Sequence, residues 1–401
     1  MPQTAQAPTT GAASPAQVNR AQRMAVLQQA IEMKQEVFGP GAVALSTVGA
    51  TNINIAPRFV GLTKRFQIKV TGTVNNTDAA NTLNLTDFGM WNILTQLGFT
   101  DLNNNQRVLT EGKHLAALKS MKHRQVAEAA LLSTALNDGA NVGNNFGVCV
   151  APTAIAHGTS APFTFYFDLP LAYSDEDLRG AIYLGVVNAT ATISLVLNNN
   201  NAIVAAGVDS TDSVWHGAAG NISGVSIQVN QIYLDQLPRN KNGQPVLPVL
   251  DLSTVYELKS TNFTGIVANQ DFPIPYANFR DFVSTFLIYN HDGSGDAGRV
   301  GGTDISYVAL QSANFTNIMK LDPISVARTA REILKADLPP GMYYFGHRYP
   351  QQPISTTTYG NMQLILNALT ATANGYIRAY WEDFALVNTL TGGLPGSLAA
   401  S

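Results

Sequence analysis

Residues 163–169 read FTFYFDL, so Phe163, Phe165, Phe167 and Leu169 alternate with Thr164, Tyr166 and Asp168. Successive side chains of a strand leave opposite faces, so this stretch has one apolar face and one more polar face. A helix would need its apolar residues three and four apart. The same period of two recurs at Phe66, Ile68 and Val70, at Ile193, Leu195 and Leu197, at Val225, Ile227 and Val229, and at Met362, Leu364 and Leu366. Turn-forming clusters separate these runs: Asn75-Asn76, Asn103 to Asn105, Asn198 to Asn201 and the tight-turn pair Asn242-Gly243. From about Arg58 onward the chain therefore reads as a β-sandwich protein with many short strands.

Helical segments stand out against that background. Residues 15–38 are rich in helix formers, with Ser14 as N-cap, Pro15 in the first turn and Gly39-Pro40-Gly41 as the stop. Ala21, Met24, Leu27 and Ile31 would share one face of this amphipathic helix. A second helix is expected over 323–337, with Asp322 as N-cap and Pro339-Pro340-Gly341 as terminator. A short helix is expected from Ser174, where SDED places an acid three positions after the cap. A further helical stretch is expected over Lys113–Leu136. Arg239–Pro248, RNKNGQPVLP, reads as the linker between two similar halves.

With 401 residues the chain has room for two domains. Charged residues are only 13 % of it, about half the roughly 25 % of an average soluble protein. Asn, Thr, Ser and Gln supply the missing polarity, which suits a surface packed against copies of itself. The net charge of −3 gives no basic field for nucleic acid, and no sequence-specific nucleic-acid binding is expected. Cys149, the single cysteine, excludes an internal disulfide and reads as a small apolar residue of a β-core. No run approaches 18 apolar residues, and the first residues lack the basic start and apolar centre of a secretory signal.

The chemistry searched for is mostly missing. His114, His123, His157, His216, His291 and His347 form no HxH or HExxH pair, and no metal or cofactor is expected. No G-x-S-x-G occurs, and GNISG at 220–224 reads as a turn. Asp175, Glu176 and Asp177 are explained by helix capping, and Glu382-Asp383 by an edge near the C-terminus. Asp292–Gly298 imitates a calcium loop without the glycine and glutamate such a loop needs, and GRVGG at 298–302 opens no helix. No catalytic residue is assigned. The alternative is a β-sandwich protein that binds or hydrolyses glycans, although Trp91, Trp215 and Trp381 supply few sugar platforms. A receptor-binding spike would show fibrous repeats, which the sequence lacks.

Several stretches resemble the major capsid proteins of tectiviruses, tailless bacteriophages with a membrane inside an icosahedral shell. They are LTDFG (85–89), PLAYSDEDLRGA (170–181), YLDQLP (233–238), DLSTVYEL (251–258), YANF (276–279), GTDISY (302–307), ANFTNIMKLDP (313–323) and PPGMYY (339–344), with YGN (359–361) extending the match. They occur in the family's order; residues 1–57 and the last 50 or so resemble it only in character. The resemblance implies a mainly β, double jelly-roll fold, two eight-stranded sandwich barrels side by side with an N-terminal amphipathic helix and short inserted helices. The expected division is an arm and helix over 1–57, a first jelly roll over 58–244, and a second jelly roll with C-terminal tail over 245–401. It also implies pseudo-hexagonal homotrimers that tile a virion shell after synthesis in the host cytoplasm, with neighbouring capsomers, vertex and minor capsid proteins, and the internal membrane as partners. The N-terminal helix then lies at the inner face. Arg20, Arg23 and Lys34 are expected at lipid headgroups, with Met24, Leu27 and Ile31 at the interface. The competing expectation is that this apolar stripe packs on the protein's own barrel.

Overall fold

The computed structural model describes residues 13–47, 49–86, 89–115, 118, 149–150, 154–185, 190–199, 203–204, 212–293, 304–334, 338, 340–347 and 353–386. The chain begins with helix α1 (Pro15–Gln29). The principal strands of the first half are β1 (Ile31–Ala42), β2 (Thr51–Ile55), β3 (Leu62–Asn76), β4 (Leu94–Thr100), β5 (Gln106–Thr110), β6 (Ser160–Pro170), β7 (Thr192–Leu197) and β8 (Gly220–Asp235). A one-turn helix, α2 (Val249–Leu252), leads into the second half. There follow β9 (Thr254–Thr264), β10 (Asp271–Pro275), β11 (Arg280–Asn290), β12 (Ile305–Ser312) and β13 (Met319–Leu321). The remainder is α3 (Pro323–Leu334), β14 (Met342–Gly346), α4 (Thr356–Tyr359), β15 (Met362–Ala368) and β16 (Tyr376–Leu386).

In the first half, a sheet ordered β1-β8-β3-β6 and extended by Cys149–Val150 faces strands ordered β2-β7-β4-β5. Every apolar alternation read from the sequence is turned inward: Phe66, Ile68, Val70, Phe163, Phe165, Phe167, Leu169, Ile193, Leu195, Leu197, Val225, Ile227 and Val229 are all buried in one cluster. Phe66 meets Phe99 across the sandwich at 5.8 Å between ring centroids. Burying one face of each sheet supplies the main driving force of such a sandwich.

The second half repeats the scheme. The sheet β10-β15-β12-β13 faces β9-β16-β11-β14, with Leu364, Leu366, Val308, Leu287, Ile377 and Trp381 between them. The two halves are not separate bodies. Strands β5 and β9 pair in parallel, Leu258 opposite Val108 and Lys259 opposite Leu109, so one sheet runs β2-β7-β4-β5-β9-β16-β11-β14 through the molecule. The sheets face each other without closing into barrels. Alternate residues of β16 serve different cores: Ile377, Ala379 and Trp381 face the second, Tyr380 and Phe384 the first.

Four expectations are corrected. The first helix ends at Gln29, because Ala30 is extended and Ile31 pairs with Asp235 at the start of β1. The edge of β8 offers residues 31–42 a strand partner, and pairing outweighs the helix propensity of Glu32–Glu36. No helix starts at Ser174; its side chain caps Asp177 N–H, but Gly180, at φ +88°, turns the chain away. GNISG lies at the head of β8, with a register shift between Ser223 and Ser226 and Gly224 at φ +60°. Glu382 and Asp383 lie on β16, which is hydrogen-bonded on both sides and is no edge.

Helix α3 keeps its sequence-read start, with Asp322 accepting from Ser325 N–H at 3.0 Å. Of the stretch 113–136, residues 112–115 begin a helix; most of the rest, His123 included, lies outside the described residues, as do 294–303.

Candidate interaction surface

One end of the molecule carries α1, α2, the loop 171–181 and the ends of β3, β6, β8 and β16. Helix α1 begins with a reciprocal cap: Ser14 Oγ accepts from Gln17 N–H at 3.3 Å, and Ser14 N–H donates to Gln17 Oε1 at 2.9 Å. The face it turns inward is not the one read from the sequence. Val26 is fully buried against Leu62, Leu178 and Leu234, and Asn19 is buried beside it. Asn19 Nδ2 donates to Asp251 Oδ1 at 2.9 Å, while Asn19 Oδ1 accepts from Leu250 N–H at 2.9 Å. One carboxamide thus ties α1 to the first turn of the second half.

Arg23 completes the clamp, its Nη1 3.4 Å from Asp251 Oδ2 and 4.0 Å from Asp177 Oδ1. Burial pushes the Asp251 carboxyl above its ordinary range, against the pull of Asn19 and Arg23. Burial works the same way on Asp177, but the hydrogen bonds and charge of Arg179 hold it below the usual carboxylate range. Arg179 also lies 4.3 Å from the centroid of Phe384, joining the loop of the first half to β16 of the second. Asn19→Ala removes three hydrogen bonds at a buried site, two at 2.9 Å and a longer one from Asp251 N–H at 3.5 Å. It is expected to cost about 1–2 kcal/mol and to raise amide exchange across α1, read by hydrogen–deuterium exchange, before exchange rises in β3 or β8.

The six residues expected at lipid are divided by the structure. Arg23 faces the body and is paired, and Leu27 is half-buried against the cluster around Val26. Arg20, Met24, Ile31 and Lys34 are exposed, with Ile31 and Lys34 on β1 rather than on a helix. Lys34 donates to Gln67 Oε1. Val18, Met33, Leu250 and Val249 are further exposed apolar residues at this end, the last 63 % exposed. Sequence reading missed Asn19 and Asp251 because their roles arise from a contact between residues 232 positions apart, and it read Asp177 only as a helix-capping acid.

Other acids are held by cations or by hydroxyl donors. Asp175 is ion-paired with Lys64 and Arg65. Glu382 accepts from Tyr256 at 2.6 Å and from Ser284 at 2.8 Å, whereas Asp383, its neighbour on β16, faces the opposite side toward Arg280. Consecutive strand residues cannot converge on one substrate bond. At the far end, Asp212 is held by Lys113 and Arg378, with Glu111 3.2 Å from Lys113. His347 is buried beside Tyr276 and Thr285, and burial lowers it to about 4. Among the described residues no group of three His, Cys, Asp or Glu could hold a metal, and no helix is long and apolar enough to cross a membrane.

Comparison with known proteins fits this picture of surfaces and joints. The model of the P3 major capsid protein N-terminal family matches residues 3–237, and that of the C-terminal family matches residues 253–393. The chain belongs to the P3 major capsid protein family. It is 34 % identical over 367 residues to the major capsid protein P3 of Enterobacteria phage PRD1, a tectivirus, covering 90 % of this chain and 89 % of that one. Solved structures share its fold at much lower identity. The STIV major capsid protein superposes with a TM-score of 0.60 at 11 % identity, covering 89 % of this chain and 97 % of that one. PBCV-1 VP54 gives 0.54 at 10 %, covering 88 % and 93 %. The P3-family chain is thus a double jelly-roll capsid protein, a component of a virion shell that packs with other capsomers, and not an enzyme. The family boundary at 237–253 brackets the segment 239–248, where Arg239 and Pro245 form an isolated bridge around the turn at Gly243.

Proposed function

We propose that this capsid protein assembles as pseudo-hexagonal homotrimers that tile an icosahedral shell around an internal membrane, with the α1-bearing end turned toward lipid. Vertex and minor capsid proteins are its further partners. The observation that carries the membrane side is the exposure of Val18, Met24, Ile31 and Met33 at this end, with Arg20 exposed on α1, while Lys34 leaves the other face of β1 from Ile31 and Met33. Exposed apolar side chains beside a cation suit the boundary between headgroups and acyl chains, where a cation contributes up to about 1 kcal/mol near an anionic surface. Arg23 takes no part in this contact, since Asp251 already holds it. Threefold closure uses head-to-tail contacts, and a permanent interface of this kind buries more than about 2,000 Å².

Two measurements test the reading. Sedimentation is expected to give three times 42.8 kDa, persisting on dilution; a stable monomer removes the capsomer. In flotation with anionic vesicles, the double substitution Val18→Glu and Met24→Glu is expected to lower the bound fraction about tenfold, since it replaces two exposed apolar side chains with charges. Both positions are exposed, so folding is preserved and equal flotation would dismiss the membrane role.

A further inference from the structure

At the α1-bearing end of the second jelly roll, β10 and β12 finish and β15 begins around an open groove of about 460 Å³. Its lining is rich in carboxamides: Asn278, Gln311, Asn361 and Gln363, with Ser312 and Pro275. None of its lining residues carries a charge. Gln311 and Gln363 are cross-strand partners, and their amides meet at 3.4 Å. Aromatic rings flank the groove. Phe279, next to Asn278, is exposed on a left-handed backbone at φ +60°, a conformation that a bulky residue adopts only at a cost of about 1 kcal/mol or more. Phe315 is also exposed; its N–H donates to Ser312 Oγ at 3.1 Å, and its ring lies 5.9 Å from that of Tyr359.

Carboxamides both donate and accept, so they suit the peptide groups of an extended chain, and exposed rings suit aliphatic side chains. A charged ligand would find no counter-charge here. A segment with the required chemistry leaves the fold beside the groove. Strand β16 ends at Leu386, opposite Thr254, and Ala385 lies opposite Arg280, the residue after Phe279. Facing sheets are about 10 Å apart, so Leu386 stands one sandwich thickness from the groove. The following residues, 387–401, read VNTLTGGLPGSLAAS. Their side chains carry no charge, leucines stand at 390, 394 and 398, and Gly392-Gly393 and Pro395-Gly396 oppose a regular helix. Fully extended, such a segment reaches about 50 Å. A tether this short raises the effective concentration to the millimolar range, which favours the segment of the same chain over any other.

We propose that the groove between Asn278, Gln311, Asn361 and Gln363 is the seat of residues 387–401 of the same chain, held as an extended strap with its leucines against Phe279, Phe315 and Tyr359. The strap rests on neither the membrane nor the trimer reading. It would fasten the exit of β16 to the opposite sheet at the end that carries α1.

The test uses the full chain with Cys149→Ser, Asn361→Cys and, in turn, Leu390→Cys, Leu394→Cys or Leu398→Cys, treated with a short bismaleimide. Thr372→Cys, in the loop at the far end of β15, replaces Asn361→Cys as the reference. At one or more tail positions the intrachain product from position 361 is expected to exceed that from 372 at least about tenfold, and Ser312→Trp, which fills the groove, is expected to reduce it. Equal yields from both positions, or no product, would overturn the strap. A predominantly interchain product would overturn it in favour of a neighbouring copy. Three tail positions are used so that each variant keeps two of the three leucines.

Discussion

Gly180→Ala is expected to destabilise the protein by about 3–5 kcal/mol and to abolish soluble capsomers at ordinary growth temperature. Gly180 sits at φ +88° where the loop after β6 crosses the joint between the halves. A Cβ there would lie 2.4 Å from Leu171 O, 2.5 Å from Tyr256 Cβ and 3.0 Å from Tyr256 N, so two backbones must move apart. Gly180 O accepts from Arg107 at 3.1 Å and Gly180 N–H donates to Asp251 O at 3.3 Å, which ties the same point to β5 and α2. The strain therefore spreads into the clamp on α1. Gly243→Ala is the control: φ is +77° but nothing lies within 4 Å of its Cβ, so only the backbone cost of about 1–2 kcal/mol applies. Urea midpoints of the two variants make the comparison. If both lose the same, the close approach at the joint carries no energy. Native domains are stable by only about 5–15 kcal/mol, so the larger loss decides whether capsomers accumulate.

Asp383→Asn is expected to act in the other direction, stabilising the protein by about 2 kcal/mol at pH 8 and by nothing measurable at pH 4. Asp383 is buried on β16, with Glu257 opposite it on β9 and Arg280 3.2 Å away on β11; Lys259 pairs with Glu257. Burial pushes its carboxyl up to about 7, Glu257 adds to the rise, and Arg280 opposes it. In the unfolded chain the group ionises near 3.8. Between those values the unfolded state has released the proton and the folded state keeps it. Stability from this group is thus fully present below pH 3.8 and falls as pH rises toward 7. Asparagine keeps an acceptor for Arg280 and removes the charge, so the variant escapes the loss. Thermal unfolding from pH 4 to pH 8 makes the measurement. A difference that does not change with pH, or a variant less stable at pH 8, would show that the Arg280 pair outweighs burial.

Much of the sandwich was legible because burial leaves a local mark. Phe163, Phe165, Phe167 and Leu169 alternate in the sequence, and all four point into one core. Asp322-Pro323 marked the start of α3 because an N-cap acts within three residues. The first helix was legible at Ser14 and illegible at its end. Residues 31–38 carry a local helical signal, and the free edge of β8 overrides it. The same edge moved Ile31 and Lys34 onto a strand, and Asp251 draws Arg23 inward, so three of six expected lipid contacts changed setting through packing alone. Ser174 shows the converse: its cap forms with Asp177, yet a cap without a following turn makes no helix.

By itself, then, the sequence determined the β-rich class, the inward residues of the main strands, the poorly charged surface and, through ordered short stretches, the capsid family. The tertiary structure alone decided how the halves join and which face of α1 is free. The parallel pairing of Val108 with Leu258, and the grip of Asn19 on Asp251, link residues 150 and 232 positions apart. Periodicity and capping are set by neighbours along the chain, whereas these contacts depend on which distant surfaces exclude water together, and no local pattern encodes that choice.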